Sequence, residues 1–268
     1  MADVVVNDQI FNDIANGIRE KTGVTTTYTP EEMPTGIDDV YVKAFDDGCA
    51  EGERVQREIF WNTYLNNGNS VNGTYLFYAG RFDDGNFYPT CNIKVSNANN
   101  MFRSSRITKL KEILEKCNAV LDTSPSSDFT NAFYYCRSPI LPEISTVNCE
   151  TLTSTFVSTY LVHLELVLKD DGSQTFASTF TDATALTELY INGGVIGKSF
   201  SVQTSPLLTA VSARSIFEHL KNYAGTSYEN KYTVKVHNNV WIRINEEETP
   251  PDGYDDWETY VQSLGWKI

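Results

Sequence analysis

Histidine and paired cysteine are scarce in this chain, and their scarcity removes several chemistries. Three histidines occur in 268 residues, His163, His219 and His237. None stands in an HExxH or GxSxG context, so no zinc-protease helix and no nucleophile elbow can be read. The five cysteines, Cys49, Cys91, Cys117, Cys136 and Cys149, are odd in number and form no CxxC pair. Zinc sites and disulfide frameworks need close, repeated spacings, so these read as small apolar residues with reduced thiols. Basic residues are also few: 21 Lys and Arg face 35 Asp and Glu, a net charge of -14. A surface of that sign repels phosphate backbones and argues against nucleic acid as a partner. No apolar run approaches the roughly 18 residues of a membrane span. The opening residues MADVVVNDQI lack both a basic and a long apolar region, so no secretory signal is expected.

What is present describes a folded chain: 41% hydrophobic and 21% charged residues. Three DDG triplets, Asp46-Asp47-Gly48, Asp83-Asp84-Gly85 and Asp170-Asp171-Gly172, lack the alternating oxygens and distal Glu of a calcium loop. They read as turns, in which Asp accepts local backbone bonds and Gly supplies positive φ. Asn72-Gly73-Thr74 matches a glycosylation sequon and is read as another turn.

Residues 7–22 carry Ile10, Ile14 and Ile18 at four-residue steps, which predicts a helix stopped by Gly23. Thr29-Pro30-Glu31-Glu32 opens a second helix, with Thr29 as cap and Pro30 in the first turn. Its apolar face resumes at Val55, Ile59, Phe60 and Trp61 and runs to Asn66-Asn67-Gly68-Asn69. Two helices with narrow stripes bury little alone, which predicts a docking or oligomerising segment over residues 1–68, the alternative being a helical cap on the C-terminal domain. The string IFNDIANGIREKTG…YTPEEMPTGI is similar to a short module found near the start of tail-region structural proteins of bacteriophages and prophages. Ile14, Ala15, Ile18, Arg19, Lys21, Gly23, Thr29, Pro30, Met33, Pro34 and Ile37 match it in order, and IFWNTYLNNGN at 59–69 resembles the segment that follows.

Residues 74–90, TYLFYAGRFDDGNFYPT, read as an aromatic hairpin or capping unit. One pattern then recurs: MFRSSRITKLKEI at Phe102, AFYYCRSPILPEI at Phe133, TFVSTYLVHLELV at Phe156 and TFTDATALTELYI at Phe180. Eight positions on stand Leu110, Leu141 and Leu164, and eleven positions on stand Ile113, Ile144, Val167 and Ile191. The fourth copy shifts its leucines by one, to Leu186 and Leu189. The first gap between anchors is longer than the others, with an insertion expected around Asp122–Asp128. A repeated period of this size marks a solenoid, in which a single copy cannot bury its Phe, Leu and Ile and stacking does. The expectation is that the four phenylalanines form one column and the L-x-x-I/V segments pair as strands.

The copies at Phe133 and Phe180 resemble the bacterial surface type of leucine-rich repeat. Only the Phe133 copy keeps a cysteine three positions on, Cys136, and no asparagine ladder is visible. The resemblance therefore implies a short, nearly straight stack in place of a horseshoe. Downstream, an amphipathic helix is expected over Val211–Tyr223 and strands over Tyr232–Ile244 with a turn at Asn238-Asn239. A short helix over Trp257–Leu264 and a final strand at Gly265–Ile268 complete the reading. Leu208, Ser215-Ile216, Leu220, Gly225 and Gly265-Trp266 resemble the closing segment of the same phage proteins, with the physical task of covering the solenoid's open end.

The resulting expectation is an α+β chain: a helical segment 1–68, an aromatic cap and solenoid 69–204, and an α/β capping segment 205–268. The resemblances imply a non-enzymatic virion structural protein of tail-fibre or baseplate type, made in the bacterial cytoplasm. Its implied partners are other virion proteins, a host surface glycan or protein, and further copies of itself, with a trimer as the guess by analogy to tail fibres. No cofactor or metal is expected. Tyr75, Tyr78, Tyr88, Tyr134 and Tyr135 are the candidate surface contacts, since exposed aromatics often build binding surfaces. A bacterial cell-surface adhesin or glycan-binding module is the alternative, and a glycan hydrolase with an acid pair is a third class without a recognisable constellation.

Overall fold

The computed structural model describes Val55 and residues 58–268. The helix expected over 7–22, the start of the one opened by Pro30, and Asp46-Asp47-Gly48 lie outside those residues. The chain divides into two compact units, Met1–Phe60 and Trp61–Ile268. In the first, Val55 and residues 58–60 are helical. In the second, residues 61–64 are helical and Asn66–Gly68 form a 3-10 turn, with Asn67 at φ 52°. The Asn-Gly run thus ends the helix where the sequence places its end.

The second unit is a mixed helix and sheet body containing a β-solenoid of about five turns. Six short strands lie side by side in chain order: β1 (Ser70–Asn72), β2 (Ile93–Asn97), β3 (Leu121–Asp122), β4 (Ile144–Ser145), β5 (His163–Val167) and β6 (Glu188–Gly193). β1-β2-β3 and β4-β5-β6 are both parallel sheets. At the seam between them a side chain replaces the ladder. The Ser145 N–H donates to Thr123 Oγ1 at 3.0 Å, and that hydroxyl donates to the Ser145 carbonyl at 2.9 Å.

Opposite the strands runs a column of rings. Phe102 stacks on Phe133 at 5.3 Å, Phe133 on Phe156 at 5.6 Å and Phe156 on Phe180 at 5.6 Å, with planes 10°, 12° and 17° apart. Phe77 extends the column at the N-terminal side, 4.7 Å from Phe102, and Phe200 closes it 5.5 Å from Phe180, tilted by 57°. All six are fully buried. Each such side chain contributes about 1.5–3 kcal/mol by burial, and a ring pair adds about 0.5–1.5 kcal/mol.

The backbone beside five of the six rings, all but Phe200, is bent in the same unusual way. Tyr75, Asn100, Asn131, Ser154 and Ser178 stand two residues before their phenylalanines, with φ of 57°, 52°, 56°, 52° and 55°. An L-residue held there costs roughly 1–2 kcal/mol, and inter-turn hydrogen bonds offset it. Tyr75, Asn100, Asn131 and Ser154 donate their N–H groups to Asn99, Thr130, Thr153 and Ala177 of the next turn. Phe77, Phe102, Phe133 and Phe156 donate theirs to Met101, Ala132, Thr155 and Thr179. Every one of these bonds points the same way, donor toward the C-terminal side.

The two ends are closed differently. At the first turn Trp61 packs on Phe82 at 4.9 Å and on Phe87 at 5.4 Å, and Tyr64 donates to the Leu76 carbonyl at 2.5 Å. At the other end, helix α2 (Ala210–Glu218; α1 is Leu110–Lys116) covers the free edge of β6. The N–H groups of Leu189 and Ile191 donate to Ser212 and Ser215 hydroxyls at 3.0 and 2.9 Å. β7 (Phe200–Val202) pairs in parallel with β8 (Val234–Val236). Helices α3 (Asn238–Glu247) and α4 (Trp257–Ser263) complete the unit, with Trp241 stacked on Phe217 at 4.8 Å.

Five sequence expectations need correction. The extra residues of the long gap are not at Asp122–Asp128. They form helix α1, because KLKEILEK is rich in helix formers and joined by a Glu112–Lys116 ion pair at 2.6 Å. Leu110 and Ile113 are therefore buried on a helix, and Leu121 takes the strand position. In the third copy Leu166, not Val167, is level with Ile144, since strand alternation turns Leu164 and Leu166 inward. Residues 74–90 are not a hairpin. Among the described residues no strand pairs within them, Asp83 bridges Arg106 in parallel, and Phe77 is the first rung.

The second strand expected over Tyr232–Ile244 is instead α3. His237 caps it by accepting the Asn239 N–H at 3.1 Å, and Val240 and Ile244 bury one helical face. The helix expected to reach Tyr223 ends at Glu218, because Ile196 of the neighbouring segment pairs with the His219 carbonyl and the Lys221 N–H.

Candidate binding surface

The arm that carries the phenylalanine column positions four of the five candidate tyrosines. Tyr75 and Tyr78 flank Phe77 and meet edge to face at 5.2 Å. Tyr134 and Tyr135 follow Phe133 and meet edge to face at 4.7 Å. Between those turns, Arg103 follows Phe102 and lays its guanidinium 5.2 Å over the Tyr134 ring, steadied by a 3.0 Å bond to Asn100. Tyr135 donates to Asp182 at 3.1 Å, and that bond pushes its hydroxyl above the usual phenol range. Tyr88 is exposed. Tyr78, Arg103 and Tyr134 each follow a column phenylalanine, so the arm presents an aromatic and cationic strip.

The strand face carries an acidic network. His163 meets Glu188 at 2.5 Å and Glu165 at 3.1 Å. Asn192 donates to Glu143 at 2.7 Å and to Glu165 at 3.0 Å. The His163 bond, followed by that from Asn192, holds Glu165 below the usual carboxylate range, the opposite of what a general acid needs. Among the described residues no group of three His, Cys, Asp or Glu is placed to hold a metal ion. Two of the DDG triplets are turns: Gly85 donates to Asp83 at 2.9 Å and Ser173 to Asp171 at 2.8 Å. Asn72 likewise accepts the Thr74 N–H at 3.0 Å.

A third surface was not visible in the sequence. The arm ladder stops at the Phe180 turn: the N–H groups of Ser178 and Phe180 have no acceptor among the described residues. The next segment leaves the arm, crosses as β7 and opens a cleft of about 310 Å³ against them, lined by Phe176, Thr179, Ser201, Gln203 and Thr204. A larger cavity of about 540 Å³ shares Phe176, Ser201 and Gln203 with it and adds Lys198, Tyr232 and Lys235. Register places them together, since Ser201 faces Lys235 across β7 and β8. Lys198 donates to the Tyr232 hydroxyl at 2.9 Å, and Lys231 lies 4.7 Å over the Tyr228 ring. The Lys198 bond holds the Tyr232 hydroxyl below the usual phenol range, with the charges of Lys198, Lys231 and Lys221 acting the same way. The residues involved come from separate segments between Phe176 and Lys235, and no local motif announces them.

The fold and these surfaces define a capped parallel β-solenoid with a tyrosine strip on one arm and a lysine-lined cleft at its C-terminal end. Neither family models, nor curated proteins, nor solved structures give a match to the chain. Among the described residues no helix is long and apolar enough to cross a membrane.

Proposed function

We propose that this chain is a non-enzymatic structural protein of a bacteriophage virion, of tail-fibre or baseplate type. Its N-terminal segment docks to the particle, and its solenoid, built from turns of the bacterial surface leucine-rich type, displays a surface for host recognition. The observation that carries the reading is the phenylalanine column joined to the phage-like string at 10–37. The column makes each turn a rigid copy of the last, and side chains such as Tyr78, Arg103 and Tyr134 ride outward on it at fixed spacing. The leucine-rich assignment is supported by Leu141 and Ile144 following Phe133 at the family spacing, with Cys136 buried between. Assembly with other virion proteins and into a homotrimer belongs to the same proposal.

Immunogold labelling of whole particles with antibody against the solenoid tests it. Label at the tail or baseplate is the expected result. Particles without label, produced by a host that makes the chain, overturn it. The repeat likeness to bacterial surface proteins favours a second reading, a cell-surface adhesin or glycan-binding module, and label on uninfected cell walls would select that one. Light scattering of the purified chain checks the trimer.

A further inference from the structure

We infer that the cleft between the Phe180 arm and β7–β8 is a binding site for an acidic saccharide, a sugar unit bearing phosphate or carboxylate. Three independent features of the cleft converge on that chemistry. The first is the polarity of the arm ladder. The eight inter-turn bonds made by the phenylalanines and their positive-φ residues all point donor-first toward the C-terminal side, so the peptide dipoles of successive turns add there, as they do along a helix. The positive end of that stack is the pair of N–H groups of Ser178 and Phe180, which have no acceptor among the described residues and belong to residues that line the cleft where the next rung is missing. Oriented N–H groups without a protein acceptor are the elements of an anion cradle.

The second feature is charge. A chain of net charge -14 places Lys198 and Lys235 on the larger cavity, whose lining contains no Asp or Glu. Lys235 is exposed, and its side chain has neither a hydrogen bond nor an ion pair among the described residues. The third feature is shape. The cavity of about 540 Å³ falls in the range of small-ligand sites. Phe176, which is buried, and Tyr232, whose ring lies under Lys198 at 4.9 Å, give the cavity an aromatic wall, and Ser199, Ser201, Gln203 and Thr233 supply hydroxyl and amide partners.

The inference deepens the display reading and rests on it for its biological sense, yet binding is measured on the purified full-length chain. Titration calorimetry with glucose 1-phosphate, glucuronic acid, glucose and inorganic phosphate separates the components. Saturable binding of the two acidic sugars, weakened by salt, is the expected result, with neither glucose nor phosphate matching the better of them. Whichever acidic sugar binds more tightly tells a phosphorylated from a carboxylated source. Lys235→Glu should weaken it on the order of tenfold or more, the loss of one charge-assisted contact. Since the Lys235 side chain has no partner among the described residues, the fold should survive, and circular dichroism verifies that.

Absence of saturable binding overturns the inference, as does glucose binding equally well or Lys235→Glu binding like the parent chain. Phosphate binding as tightly as glucose 1-phosphate overturns its saccharide part. Particle labelling with no sugar binding would leave the virion reading standing and remove this one. Sugar binding by a chain absent from particles would do the reverse.

Discussion

The hydroxyl of Ser212 on α2 accepts the N–H of Leu189 on β6 at 3.0 Å, so a helix side chain takes the place of the next strand. Ser212 is fully buried, and Ser215 repeats the contact three residues on with Ile191. A solenoid that simply stopped at β6 would leave a free edge for another chain. Replacing Ser212 with Ala leaves the Leu189 N–H buried without a partner, at a cost of about 1–3 kcal/mol. For a unit of this size that is a fall in Tm of roughly 2–4 °C per kcal/mol. Thermal unfolding of Ser212→Ala and of the double variant with Ser215→Ala measures it. Unchanged midpoints in both would show that α2 is not what closes the edge.

Phe133 and Phe156 sit in the middle of the column with rings on both sides. Phe133→Ala removes two stacked contacts and leaves a cavity between flanking rings, which costs about 3–5 kcal/mol. Phe133→Leu keeps apolar volume and should cost visibly less. Urea unfolding gives both values. A loss of under 1 kcal/mol for Phe133→Ala would mean the turns hold together by the strand ladder alone.

The column was legible in the sequence because a phenylalanine that must stack on its equivalent repeats at the period of the turn. Phe102, Phe133, Phe156 and Phe180 announced four rungs, whereas Phe77 and Phe200 did not, since their flanking residues had drifted from the pattern. Insertion at α1 was misplaced because Leu110 and Ile113 satisfy both the repeat spacing and a helical stripe. Helix α3 was misread because apolar residues at Val240, Ile242 and Ile244 alternate as well as recur at four. The lysine cleft was beyond reach, because it depends on where the arm ladder breaks and on the β7–β8 register, both tertiary facts.

Glu165 gives a pH dependence with a definite sign. Its folded-state pKa lies below the ordinary 4.5, first through the His163 bond and then through Asn192. A depressed carboxylate contributes stability above its unfolded value, and that contribution is lost as pH falls through its folded value. The urea midpoint should therefore fall between pH 4.5 and the lower folded value, and fall less steeply in Glu165→Gln. Parallel curves for parent and variant from about pH 6 to about pH 3 would contradict this.

Cys136 lies three residues after Phe133, and burial pushes its thiol up to about 12. The thiolate is the reactive form, so at pH 8 only on the order of one molecule in ten thousand carries it. Cys91 and Cys117 are half-buried, and burial raises them without the same enclosure. Iodoacetamide at pH 8 should therefore modify Cys91 and Cys117 well before Cys136, with peptide mass spectrometry reading each site. Reaction at Cys136 then requires local opening of the third turn, and its rate reports the stability of that turn. Phe133→Ala loosens that region and should speed Cys136 labelling more than that of Cys91. Equal acceleration at both sites would mean that the unit opens only as a whole and that the turns are not separately cooperative.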